Sequence, residues 1–124
     1  MSHKNHTDMH FIIETNPQSE NQYQFRLMRN EQETVMTSES FKSKLDCLTA
    51  ISAVRRAGSD ASNYPLWDLV GNIRFNLFYG DNRLLIGTIR YKSVEDRDRA
   101  LQEVVDQVAK APARDQAPLT ALAA

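Results

Sequence analysis

Arginine, amide and aromatic side chains recur at alternate positions of two stretches in this 124-residue chain, Tyr23-Gln24-Phe25-Arg26-Leu27-Met28 and Ile73-Arg74-Phe75-Asn76-Leu77-Phe78. Guanidinium groups pair with phosphates and carboxylates, and an aromatic ring stacks on a base or fills a pocket on a protein partner. Gln24, Arg26, Met28, Arg74, Asn76 and Phe78 are therefore the candidate binding residues. They share a surface only if both stretches are strands, where successive side chains point to opposite faces. Other groups with chemical potential have plainer readings. His3, His6 and His10 do not make a zinc site, which needs several ligands on ordered backbone; they read as a terminal surface run, and no metal is expected. Cys47 is the sole cysteine, and no histidine except His10 falls where it would serve as its base. It reads as a small core hydrophobe, not a nucleophile. Glu95, Asp96, Arg97, Asp98 and Arg99 form a mixed charge run on a solvated helix face. Trp67 lies on a short strand beside a linker and is read as core ahead of a ligand platform. With no phosphate loop, nucleophile elbow or metal-protease helix, catalysis is not expected, and neither is a cofactor.

The elements that would position these residues repeat at a spacing of 50. Tyr23-Gln24-Phe25-Arg26-Leu27 aligns with Ile73-Arg74-Phe75-Asn76-Leu77, and Phe41-Lys42-Ser43 with Tyr91-Lys92-Ser93. The register continues through Ala50/Ala100, Ile51/Leu101 and Val54/Val104, which indicates an internal duplication. In the first copy, Phe11-Ile12-Ile13, the alternating Tyr23–Leu27 and the β-former-rich Thr34–Ser38 are three strands. Ser43 with Asp46 three residues later marks a helix start, and Cys47, Ala50, Ile51 and Val54 form its apolar stripe before Gly58. The second copy offers strands at Leu66–Val70, Ile73–Tyr79 and Leu84–Ile86. Its helix starts at Ser93 with Asp96 and carries Ala100, Leu101, Val104 and Val108. Each copy thus reads β-β-β-α. Residues 1–9 are expected to be a disordered N-terminus, 10–58 the first copy, 59–64 a linker, 65–110 the second copy and 111–124 a flexible tail, the two copies forming one domain.

The fold expected is α+β: two tandem β-β-β-α repeats building a single antiparallel sheet with helices packed on one face. About 50 residues bury too little surface to be comfortably stable alone, so the copies should join edge to edge as an internal pseudo-dimer within a monomer. Tyr23, Phe25, Leu27, Ile73, Phe75 and Leu77 would then face the helices, leaving the six candidate residues on the open side. A net charge of −1 gives no broad attraction to nucleic acid or anionic membranes. No apolar run approaches the roughly 20 residues of a spanning helix, and the polar start and single cysteine suit a cytoplasmic protein.

Three features taken together, Tyr23–Leu27, Thr37-Ser38-Glu39-Ser40-Phe41 and the Ser43-Lys44-x-x-Cys47-x-x-Ala50-Ile51-x-x-Val54 helix, closely resemble the YegP-like repeat, a bacterial domain of unknown function. The resemblance runs from about His10 to Lys110 and implies two units in one antiparallel sheet covered by helices. The chain departs from the family pattern at Arg29-Asn30-Glu31 and Tyr79-Gly80-Asp81 in the turns, at Ala50 and Ala100 in the helices, at Arg97 in place of the cysteine, and at Ile89-Arg90-Tyr91. The function expected is a small interaction module binding another protein through the open face. The alternative is single-stranded nucleic acid, with Arg26 and Arg74 on phosphates and Phe78 stacked on a base.

Overall fold

The computed structural model describes residues 8–19 and 21–117; the expectations for His3, His6 and residues 118–124 lie outside them. Along the chain run β1 (His10–Thr15), β2 (Tyr23–Met28), β3 (Thr34–Thr37), α1 (Lys44–Ala57), β4 (Leu66–Leu69), β5 (Asn72–Phe75), β6 (Leu77–Tyr79), β7 (Asn82–Gly87), α2 (Val94–Gln107) and β8 (Ala113–Asp115). The protein is α+β, with two α-helices and one large sheet among the described residues.

Both helices begin where the serines dictate. Ser43 and Ser93 have nearly the same extended backbone, φ −145° and −149°, and each side-chain oxygen accepts from the backbone N–H three residues on, at Asp46 and Asp96. Both bonds measure 3.0 Å. Each satisfies a donor that the helix itself cannot, and the aspartates sit at the positive end of the helix dipole. Ser43→Ala and Ser93→Ala should each cost about 1 kcal/mol. Thermal unfolding checks this, and a restored cap in Ser43→Asp should recover most of the loss.

The large sheet has the order β6-β7-β3-β2-β1-β8, and β4 and β5 form a separate two-stranded ladder. Neighbours from β6 to β1 run antiparallel, but β8 lies parallel to β1, with Phe11, Ile12 and Ile13 opposite Ala113, Arg114 and Asp115. The sheet is therefore mixed, which corrects the expectation of a single antiparallel sheet. The residues that supply β8 belong to the stretch expected as a loose tail. The Phe11 N–H donates to the Pro112 carbonyl and the Gln116 N–H to the Ile13 carbonyl, both at 2.8 Å. The expected second strand of the second copy is also divided: β5 pairs with β4, β6 with β7, and Asn76 stands between them.

A register shift in each of two ladders sets which residues reach the core. In β3, Thr34 stands opposite Met28 while Met36 stands opposite Leu27, so Val35 is the extra residue; in β7, Leu84 is extra between Arg83 opposite Phe78 and Leu85 opposite Leu77. A bulge of this kind turns two successive side chains toward one side. Val35, Met36 and Leu85 are accordingly buried, with Leu84 packed against them.

The core joins residues of both helices and of strands from each half: Phe11, Ile13, Phe25, Leu27, Ile51, Val54, Phe75, Leu77, Leu101 and Val104. Two aromatic clusters recur, with their stacked pairs at the spacing of 50 and different third members. Phe25 stacks on Phe41 at 6.1 Å and meets Phe11 edge-on at 5.8 Å; Phe75 stacks on Tyr91 at 5.8 Å and meets Tyr64 edge-on at 5.8 Å. Met9, expected outside the folded region, is buried in this core. The expected linker contains a 3₁₀ turn, Ala61–Asn63, and delivers the buried Tyr64, whose hydroxyl donates to the Gly58 carbonyl at 2.8 Å.

Candidate binding face

The cross-strand register fixes the two faces of the sheet. Phe11, Leu27 and Met36 occupy one row on the core side, while Ile12, Arg26, Thr37 and Ile86 form the next row on the other side, with Arg114 at its edge. Phe25, Leu27, Phe75 and Leu77 are buried on the helix side as expected. The six candidate residues do not, however, form one exposed surface.

In the first half the polar groups are satisfied among themselves. Arg26 makes a two-pronged contact with Glu14, Nε to Oε2 and Nη2 to Oε1 both at 3.0 Å, and Nη1 donates to Thr34 Oγ1 at 2.7 Å. Gln24 Nε2 donates to the same carboxylate at 2.6 Å. This paired arrangement leaves little of the guanidinium free for a phosphate. Met28 is 3% exposed and accepts, through its sulfur, from Thr34 Oγ1. It is packing, not binding surface.

The second half differs. Asn76 is 4% exposed, and its Oδ1 accepts from the Gly87 N–H at 2.8 Å and from Arg74 Nη1 at 3.0 Å. Its amide thus takes over a backbone donor where the strand divides, a structural duty that corrects its placement on the open surface. Arg74 is also held by Asn72 through Nε, and its guanidinium lies over the Trp67 ring, 4.2 Å from the centroid. Trp67 and Arg74 stand opposite each other on β4 and β5. Trp67, half-buried, joins Pro65, Phe78 and Asn63 around an open depression of about 580 Å³. Leu66, Leu69, Val70 and Tyr79 are exposed close by in sequence. Trp67 is thus the residue that the sequence assigned first to the core. Its pairing with Arg74 follows from the two-residue turn at Val70-Gly71, which fixes the register of β4 against β5.

Three further groups are settled by burial. His10 is the first residue of β1 and fully buried, not part of a surface run; Nδ1 lies 2.5 Å from the Asp8 carbonyl oxygen, and Nε2 has no hydrogen-bond partner among the described residues. Arg97 stands 50 residues after Cys47, is 2% exposed, and departs from the solvated face expected for it. Its guanidinium donates to the Trp67 carbonyl at 3.1 Å, to Asp98 at 2.8 Å and to Asp68, tying α2 to β4. Cys47 is fully buried in the core cluster. Burial, with smaller contributions from Asp46 and Asp115, pushes its thiol from 9.0 up to about 11. A thiol held protonated at neutral pH is a poor nucleophile. The sign for stability follows: below pH 9 the thiol is protonated folded or unfolded, and from pH 9 to 11 only the unfolded chain releases the proton. Stability should therefore fall as pH rises through that window, and Cys47→Ala should flatten this part of a urea-denaturation pH profile. An unchanged slope would contradict the assignment.

Among the described residues no helix is long and apolar enough to cross a membrane. Residues 18–64 match the model of a family described as a domain of unknown function, DUF1508. A UPF0339 protein in the ptx operon 5' region of Stutzerimonas stutzeri is 26% identical over 84 residues, covering 67% of this chain and 76% of the relative. A UPF0339 protein of Bordetella pertussis is 28% identical over 96 residues, 77% and 86% of the respective chains. Two solution NMR structures share the fold. A UPF0339 protein from Shewanella oneidensis has a TM-score of 0.74 at 19% identity, covering 90% of this chain and 93% of that one. YegP from E. coli, described as a protein of unknown function, has a TM-score of 0.75 at 21% identity, covering 92% and 97%.

Proposed function

We propose that this YegP-like chain acts as a non-catalytic cytoplasmic binding module built from two tandem copies, which docks another protein on the β4–β5 ladder beside β6. The contact would centre on Trp67, Arg74 and Phe78. The observation that carries this reading is the Arg74 guanidinium stacked 4.2 Å from the Trp67 centroid beside the Phe78 depression. Tryptophan, tyrosine and arginine dominate the energetics of protein interfaces, and here a Trp–Arg pair is already ordered before any partner arrives. Exposed Leu69, two residues on from Trp67 and on the same side of β4, would widen the apolar contact.

Single-stranded nucleic acid fits less well, because the Arg26 guanidinium is engaged by Glu14 and Thr34, and Arg74 is the one candidate arginine without a carboxylate partner among the described residues. Affinity capture with wild type and an Arg74→Glu/Phe78→Ser variant tests the reading. A protein that persists through nuclease treatment and is lost with the variant, whose helix content is unchanged, is the expected result. Equal capture by both proteins would overturn it. An oligonucleotide mobility shift that fades steeply with salt would assign the face to nucleic acid instead.

A further inference from the structure

A cleft of about 440 Å³ opens between the β2–β3 hairpin and α2, away from the Trp67 depression. Its apolar lining is Met9, Val35 and Val104, all three almost wholly buried, and the half-buried Ile89 and Ala100, with half-buried Tyr91 beside them. Burial pushes the Tyr91 phenol up to about 12, so it stays a neutral hydrogen-bond donor throughout the ordinary pH range.

The rim is charged, and unequally so. Arg29 is shared between Glu33 at 3.3 Å and Glu103 at 2.9 Å, and Arg99 pairs with Asp96 at 3.1 Å. Arg90 and Lys92 complete the lining and form no ion pair among the described residues. Four cations thus face three carboxylates, and the two unpaired cations flank Tyr91 just before the positive end of α2.

The other half supplies an internal comparison. A second cleft, of about 430 Å³, is lined by Phe41 and Ala50 where the first has Tyr91 and Ala100, each 50 residues apart. Its charged lining is Glu39, Asp81 and Arg83, an excess of acid. At the same spacing Ile89 stands for Glu39, Arg90 for Ser40 and Arg99 for Thr49, which outweigh the opposite exchange of Glu33 for Arg83. A shared scaffold does not demand that inversion, since all three positions lie on the surface or partly exposed.

We infer that the Tyr91 cleft binds a small amphipathic anion, its apolar body against Ile89, Tyr91 and Ala100 and its carboxylate or phosphate held by Arg90 and Lys92. Charge-assisted bonds from two cations without ion-pair partners among the described residues supply the preference for an anion, and the half-exposed Ile89, Tyr91 and Ala100 supply the preference for an apolar body.

Titration of the full, ¹⁵N-labelled chain with octanoate, octyl phosphate and octanol tests this. Octanoate or octyl phosphate should shift the amides of Val35, Tyr91, Ala100 and Val104 in a saturable way, the tighter of the two naming the headgroup. Octanol should bind at least about tenfold more weakly, as should the anions to an Arg90→Glu/Lys92→Glu variant. Both positions are exposed, so the variant's spectrum elsewhere should match wild type. Octanol binding as tightly as the anions, shifts confined to Trp67 and Phe78, or no saturable shift at millimolar concentrations would overturn the inference. Cleft shifts that follow protein concentration without ligand would also overturn it, by assigning the cleft to a second copy of the chain.

Discussion

Alanine at Gly87 is expected to lower stability by about 3 kcal/mol, although it adds only one carbon atom. A Cβ at this position would overlap the Phe75 carbonyl oxygen and lie 3.2 Å from its carbonyl carbon. Both are backbone atoms, so no rotamer change relieves the clash. Nor can β7 back away freely, because the Gly87 N–H is bonded to Asn76 Oδ1 at 2.8 Å and Gly87 also pairs with Met36 across the join of β3 and β7. Relief therefore breaks either the Asn76 bond or the ladder between the halves. Urea denaturation reads the change directly. A Gly87→Ala protein as stable as wild type would show that the approach of β5 to β7 is looser than the Asn76 bond indicates.

Truncating the two clustered phenylalanines should produce losses as large or larger. Phe25→Ala and Phe75→Ala should each cost about 3–5 kcal/mol and lower the melting temperature by on the order of 15 °C. Phe25 is fully buried and Phe75 is 1% exposed, and each loses one stacked and one edge-on aromatic neighbour. The more informative result is the shape of the transition. Since core residues from both halves form one cluster, either substitution should shift a single cooperative transition monitored at every probe. If Phe75→Ala melted the signal of Trp67 while leaving α1 intact, the halves would be separate folding units.

Much of this architecture was legible in the chain, and the reasons are specific. Ser43 and Ser93 carry their cap in their chemistry, so both helix starts were readable to the residue. Phe25, Leu27 and Phe75 were placed in the core by simple alternation. Alternation fails at a bulge. Val35 and Met36 are neighbours on one side, and no count of every second residue anticipates that. The same limit misplaced Asn76, whose side chain replaces a ladder bond at a point where the strand divides. Segment β8 was unreadable for another reason. Ala113, Arg114 and Asp115 contribute backbone hydrogen bonds to an edge, and all three side chains are exposed, so they bear no apolar pattern. For the binding face, residue types were informative but pairing was not. The sequence offered Arg26 and Arg74 as equals, and only their neighbours, Glu14 against one and Trp67 against the other, distinguish them.

The strand that follows α2 also determines how the molecule would respond to force. Because β8 runs alongside β1 in the same direction, tension applied to the N-terminal side of β1 and the C-terminal side of β8 drags the two past each other lengthwise. The bonds from Phe11 to Pro112 and from Gln116 to Ile13 would then be loaded together and not peeled in succession. Held in an optical trap by these two sides, the protein should resist extension through a mechanical clamp, whereas handles on the N-terminal sides of both β1 and β8, the same end of the parallel pair, should peel them apart at lower tension.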